Sequence, residues 1–146
     1  LIVIVGGGKE ENRIKKIVAS ESLLHKHILL VGFKPREVCL DIRRTSDVSL
    51  CLMGGFSLIE ACAAERPVVS YNVEWHSELV KNNETGFLIA ENDVSEVVKA
   101  LDWLFNHPDK CKEMGQKAKI LAFERHDLKI TSTIKTSCYK EIINSL

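Results

Sequence analysis

Residues 48–71, VSLCLMGGFSLIEACAAERPVVSY, decide the fold. Val48–Leu52 is a short, mostly apolar run and reads as a buried strand. Gly54-Gly55 ends it, residues 58–65 read as a helix, and Pro67–Tyr71 (PVVSY) returns to strand character. Strand, helix and strand in that order form a crossover unit, whose two strands run parallel in one sheet.

The alternation extends both ways. Upstream, Leu1–Val5 (LIVIV) is a continuous apolar run, expected to be covered on both faces. Gly6-Gly7-Gly8 stops it, and residues 9–20 carry Ile14, Ile17 and Val18 at helical spacing. Ile28–Val31 (ILLV) is a further buried strand closed by Gly32, followed by a short helix over 35–45 with Pro35 in its first turn. Downstream, a short helix over 75–81 precedes a fifth strand, Gly86–Ala90 (GFLIA). Asp93 then caps an amphipathic helix whose stripe is Val94, Val97, Val98, Leu101, Leu104 and Phe105, with Glu96 spaced for a capping box. His107-Pro108 ends that helix, and two more follow over about 109–122 and 129–145. The fold class is α/β: a Rossmann-like parallel sheet with helices on both faces.

Composition narrows the function. A length of 146 residues suits one domain, residues 1–146. Zero net charge gives no basic excess for a nucleic-acid partner. The cysteines number five, an odd count without a Cys-x-x-Cys pair; Cys51 and Cys62, in apolar stretches, read as reduced core residues, and the compartment as cytoplasmic. No apolar run approaches the ~18 residues of a membrane span, and no signal peptide opens the chain. The start at Leu1, inside an apolar run, reads as that of an excised piece.

Ligands of such sheets bind beyond the carboxyl ends of the strands, so the loops at 6–9, 32–35, 53–57 and 72–75 come first. Gly54, Gly55, Phe56 and Ser57 join a strand to a helix start, which is either an anion site or a plain turn. Glu60 follows Ser57 by three residues. It either bonds back to the Ser57 amide as a capping box, or enters the cleft and accepts two hydrogen bonds from a ribose diol. Gly6-Gly7-Gly8 fails the dinucleotide fingerprint, because Glu11 stands where a third glycine belongs. Trp75, His76 and Glu78 are too few for a metal site and read as a packed aromatic beside a solvated helix end. His25, His27, His107 and His126 read as surface or capping residues, and no Ser/His/Asp or Cys/His nucleophile arrangement stands out.

The order of the motifs is more specific than any one of them. Gly55-Phe56, Glu60-Ala61-x-Ala63, Pro67-Val68-Val69, Glu78-Leu79-Val80, Thr85-Gly86-x-Leu88-Ile89, Asp93 before its helix, Pro108 after it and Met114-Gly115-x-x-Ala118 follow in sequence. Residues 55–118 thereby resemble the C-terminal domain of group 1 (family 4) glycosyltransferases, and LIVIVGGG and ILLVGF fit its earlier strands more loosely. The resemblance implies the nucleotide-sugar-binding half of a two-domain GT-B enzyme. The donor would be a sugar carried on UDP or GDP, bound as substrate, with no metal or other cofactor. Glu60 would hold the ribose, Gly54, Gly55, Phe56 and Ser57 would face the diphosphate and sugar, and Gly32, Phe33 and Lys34 would lie near the base. The acceptor site and catalytic base would belong to an N-terminal domain, and peripheral membrane association to the full-length enzyme only.

Three departures qualify this. The family's first glutamate would fall at Leu52, and its glycine before Pro-Val-Val is replaced by Glu65-Arg66, which would strain a left-handed helix cap. The family's domain also begins one strand earlier, with an arginine and a lysine for the diphosphate. In the expected strand order 3-2-1-4-5-6, that leaves Leu1–Val5 and Val48–Leu52 with no strand between them, and this fragment with weak nucleotide affinity. Two alternatives follow: a GT-B-like binding module without catalysis, and the nucleotide half of a sugar-nucleotide epimerase, although no paired glutamates follow Gly54-Gly55. Ile134, Cys138, Tyr139, Ile142, Ile143 and Leu146 form a last apolar stripe, expected to dock on another copy or to fray.

Overall fold

A computed structural model describes residues 1–145. The Leu146 end of the C-terminal stripe lies outside the described residues. The chain forms two compact units, Leu1–Ile42 and the remainder from Arg43.

In the first unit, β1 (Ile2–Val5) pairs parallel with β2 (Ile28–Gly32), in the register Ile2 with Ile28 through Ile4 with Leu30. Helices α1 (Glu11–Ser20) and α2 (Ser22–His27) connect them, where one helix was expected. Expected to be covered on both faces, β1 is instead exposed at every residue, from 36% at Val3 to 55% at Ile2. The physical reason is local. A two-stranded sheet has no interior strand, and α1 packs on α2, which packs on β2. β2 is likewise only half-buried. Val18 is the one buried residue of α1.

The boundary between units falls within α3 (Arg36–Thr45). The second unit then runs β3 (Ser49–Leu50), α4 (Gly55–Ala63), β4 (Val68–Tyr71), a single 3-10 turn at His76–Glu78, β5 (Gly86–Ile89), α5 (Val94–Asn106), α6 (Pro108–His126) and α7 (Leu128–Asn144). Its strands lie in the order β3-β4-β5, all parallel. β3 is shorter than the five residues expected of it. The neighbours within both sheets match the expected order.

All four residues of β4 are buried. Because a strand alternates its side chains, Val68 joins Leu58, Ala61 and Cys62 of α4 and Ala118 and Ala122 of α6 on one face. Val69 and Tyr71 join Val97, Ala100 and Leu104 of α5 and Met114 of α6 on the other. Helices thus cover both faces of this sheet. Each fully buried Val or Leu there contributes about 1.5–3 kcal/mol by leaving water.

Two glycines of the recognised motifs owe their identity to close approach. A Cβ on Gly86, which pairs with Val68, would lie 1.9 Å from the Val68 carbonyl oxygen. A Cβ on Gly115 would lie 2.3 Å from the Glu65 carbonyl, so only glycine lets α6 rest against that turn. Glu65 itself takes the left-handed conformation, with φ of 65°, as its place in the motif implies. Its carboxylate pairs with Lys119 at 2.8 Å, and that partner holds its pKa below the usual carboxylate value.

Asp93 caps α5 by accepting the Glu96 amide at 3.0 Å. The buried face of α5 is narrower than the expected stripe: Val97, Ala100 and Leu104 are buried, whereas Val94, Val98 and Phe105 are exposed. Asp127, not anticipated as a cap, accepts the amides of Lys129 and Ile130 and starts α7. On α7, Ile134, Tyr139, Ile142 and Ile143 are all exposed, and no residue of the helix is buried.

Candidate functional site

β3 ends at Leu50, and the chain turns through Cys51–Gly54 into α4. The turn is tight: Cys51 is buried, and a Cβ on Gly54 would lie 3.1 Å from both Cys51 and Leu58 Cβ. An α-helix leaves its first N–H groups without intrahelical partners, so the start of α4 offers donors and a partial positive charge beyond the carboxyl end of β3. Gly54 is the residue before the helix, while Gly55, Phe56 and Ser57 form its first turn. Phe56 is 85% exposed, a ring free to meet a planar partner.

The capping box is not formed. The Ser57 hydroxyl donates to the Gly54 carbonyl, and no side chain caps this end. The helix starts at Gly55, so Ser57 lies inside it, where a serine hydroxyl turns back on the preceding turn. Glu60 accordingly sits in the second turn rather than the first. Its carboxylate faces Arg43 near the end of α3, with Arg43 Nη2 to Glu60 Oε2 at 3.7 Å. Both side chains are about one quarter exposed. Arg43 Nε is buried and has no hydrogen-bond partner. Arg43 is the residue of this site that sequence reasoning missed; the charge pattern of α3 gave no sign of which arginine would meet Glu60.

Burial raises the Cys51 thiol pKa, while the Arg43 charge opposes that shift. Cys62, behind it, is pushed up to about 12, chiefly by burial and then by Cys51. Both thiols are protonated core groups. Leu52, standing where the resemblance places a glutamate, packs against the cluster around Val69 and Tyr71. The next loop is pinned from beneath. Ser70 Oγ donates to the Cys51 carbonyl at 2.9 Å and lies 2.7 Å from His76 Nδ1. His76 is 1% exposed, and its ring stands edge-on to Trp75. The expected solvated helix end is therefore half wrong: Trp75 packs on the core and Glu78 is exposed, but His76 is a buried, hydrogen-bonded group. His126 is only partly exposed, and its buried Nε2 has no partner.

In the first unit, Gly32 closes β2, and its carbonyl accepts the Gly6 amide at 2.9 Å. Phe33 and Lys34 follow it and are exposed. Near them, a hollow of about 540 Å³ is lined by Gly6–Glu11 and by Leu30–Gly32. Among the described residues, no group of three His, Cys, Asp or Glu side chains is placed to hold a metal ion. No helix among them is long and apolar enough to cross a membrane.

The structure is of the α/β class, with a parallel sheet and a glycine turn that leads into a helix beyond the carboxyl end of β3, where ligands of such sheets bind. The chain belongs to the glycosyl transferases group 1 family, whose model matches residues 1–120. It is 32% identical over 125 residues to an uncharacterised glycosyltransferase of Haemophilus influenzae, covering 82% of this chain and 34% of that protein. It is 33% identical over 105 residues to the UDP-Gal:alpha-D-GlcNAc-diphosphoundecaprenol alpha-1,3-galactosyltransferase of Escherichia coli, covering 69% of this chain and 27% of that protein. Sucrose-phosphate synthase from Thermosynechococcus elongatus shares the fold, with a TM-score of 0.84 at 20% identity over 99% of this chain and 39% of that one. The chain thus spans about a third of the length of these relatives. Nothing in the comparisons favours an epimerase.

Proposed function

We propose that this chain is the donor-binding domain, residues 1–146, of a two-domain GT-B enzyme that transfers a sugar from a nucleotide diphosphate to a hydroxyl of a glycan, lipid or small acceptor. The observation that carries the reading is Glu60. It occupies the family's Glu-Ala-x-Ala position on the helix after β3, partly exposed and held by Arg43. A carboxylate has acceptor sites enough for the two hydroxyls of a ribose. The amide end of α4, with Gly54, Gly55, Phe56 and Ser57, would take the diphosphate and sugar, while Gly32, Phe33 and Lys34 would border the base. Stabilisation of the leaving diphosphate is then the domain's share of catalysis. An N-terminal domain would supply the acceptor site and the base.

The donor is read as a UDP or GDP sugar, entering as substrate and without a resident cofactor; the E. coli relative's name, which specifies UDP-Gal, supports the uridine choice. The odd number of cysteines without a Cys-x-x-Cys pair supports a cytoplasmic setting, with membrane contact left to the whole enzyme. Leu52 favours a second reading, a domain that binds donor without turnover, because its side chain is committed to the core. Calorimetric titration of the chain with UDP and GDP tests the first reading. Glu60→Gln should weaken the preferred nucleotide about tenfold or more, since a hydrogen bond to a charged group is worth roughly 1.5–3 kcal/mol. Equal affinity in both proteins would contradict it. Turnover by the full-length enzyme would exclude the second reading.

A further inference from the structure

At the amino ends of β3 and β4 lies a hollow of about 900 Å³. Val48 and Pro67, each immediately before its strand, form part of its floor. Four cations line it, Arg44, Arg66, Lys112 and Lys119, against two carboxylates, Asp47 and Glu65. The excess is two positive charges. Part of this charge is already organised. Lys119 pairs with Glu65, and the Arg66 guanidinium is anchored by an Nη2–H donated to the Arg44 carbonyl. Arg66 Nε, however, is buried and has no partner within the protein. A buried guanidinium N–H without an acceptor is costly, so the protein itself leaves the hydrogen bonding of this cation incomplete. Lys119, Arg66 and Lys112 all lower the Glu65 pKa, so the positive field is felt at that carboxylate.

The rest of the wall is apolar. Leu104 and two phenylalanines, Phe105 at 67% exposure and Phe123 at 49%, line the same hollow. Inorganic phosphate would fill only a small part of such a space, which falls within the usual range for organic ligands of ~300–1,000 Å³. We propose that this hollow is a second binding site, separate from the donor edge, for a phosphate ester that carries an apolar portion. The phosphate would be met by Arg66 and Lys112, and the apolar portion by Phe105 and Phe123. The same chemistry is offered by a soluble phosphorylated metabolite and by an anionic lipid headgroup.

Phenyl phosphate is a suitable probe, titrated into the chain and followed by amide chemical shifts. Saturable binding in the millimolar range or tighter is expected, with inorganic phosphate weaker because it lacks the apolar contact. Arg66→Gln should weaken phenyl phosphate by about tenfold, the loss of one charge-assisted hydrogen bond. Lys112→Gln, at an exposed position that folding does not need, should weaken it by roughly two- to fivefold. UDP should not displace the probe, and Glu60→Gln should leave its affinity unchanged, so failure here and failure of the donor reading are distinguishable. Flotation with phosphatidylglycerol but not phosphatidylcholine vesicles, lost in Arg66→Gln, would support the site and assign the ligand to a lipid. Probe binding without flotation would support it and assign the ligand to a soluble ester. No saturable binding, affinity equal in wild type and both variants, or displacement by UDP would overturn the proposal.

Discussion

β1 and β4 are both short apolar strands in parallel sheets, yet every residue of β1 is exposed and every residue of β4 is buried. The sequences, IVIV and VVSY, would rank β1 as the more hydrophobic. What separates them is company. β4 has a strand on each side, α4 and α6 against Val68, and α5 against Val69 and Tyr71. β1 pairs with β2 alone. Hydropathy marks a segment that gains by being covered; topology determines whether the chain at hand covers it.

The comparison breaks most visibly at the glycines. Gly86→Ala drives a methyl onto the Val68 carbonyl, and a loss of about 3 kcal/mol or more is expected in urea denaturation. Gly8→Ala, in the first unit, meets no atom within 4 Å and should change the midpoint little. Comparable losses at both positions would show that the first unit is more tightly built than described. Next comes the core. Leu58→Ala, at a fully buried side chain, should cost about 2–5 kcal/mol, whereas Ile4→Ala, at 38% exposure, should cost well under half as much. Amide exchange sharpens the same contrast: the amides of β4 should be the slowest to exchange and those of β1 among the fastest of the strands.

Thiol chemistry gives a smaller effect, read residue by residue. Cys62, fully buried with its pKa near 12, should resist alkylation at pH 8 in the native protein, while exposed Cys138 reacts. Rapid native labelling of Cys62 would show that α4 opens readily. The smallest effect is electrostatic. Lys110 and Lys117 hold the Glu113 pKa down at about 2, well below the usual carboxylate value. A depressed carboxylate stabilises the fold above its unfolded pKa and loses that contribution as pH falls through the folded value. Glu113→Gln should therefore flatten a minor part of the stability loss between about pH 4.5 and 2. An unchanged acid profile would mean that solvent screens this surface pair completely.

Much of this was legible in the chain, and the exceptions share a cause. The Asp93 cap could be read because caps leave a local residue signature, whereas Gly86 and Gly115 stood out only as motifs of the family resemblance, and their close approaches became visible in the structure. Ser57 misled because serine followed by glutamate three residues on suits a capping box, while the helix begins two residues earlier, at Gly55. Arg43 and the Ser70–His76 pair were invisible because each links elements through space, with no spacing rule to expose it. The broad stripe read along α5 narrowed because periodicity shows a helix's apolar face but not how wide a surface it meets.

The proposed contact between Glu60 and a ribose diol is tested by a thermodynamic cycle. UDP and its 2′,3′-dideoxy analogue are titrated into the wild-type chain and into Glu60→Gln. If the carboxylate holds the diol, losing either partner costs about tenfold or more, and losing both costs little beyond losing one. The analogue is then expected to bind wild type and Glu60→Gln with nearly equal affinity. Additive losses, with the substitution weakening the analogue as much as it weakens UDP, would contradict it.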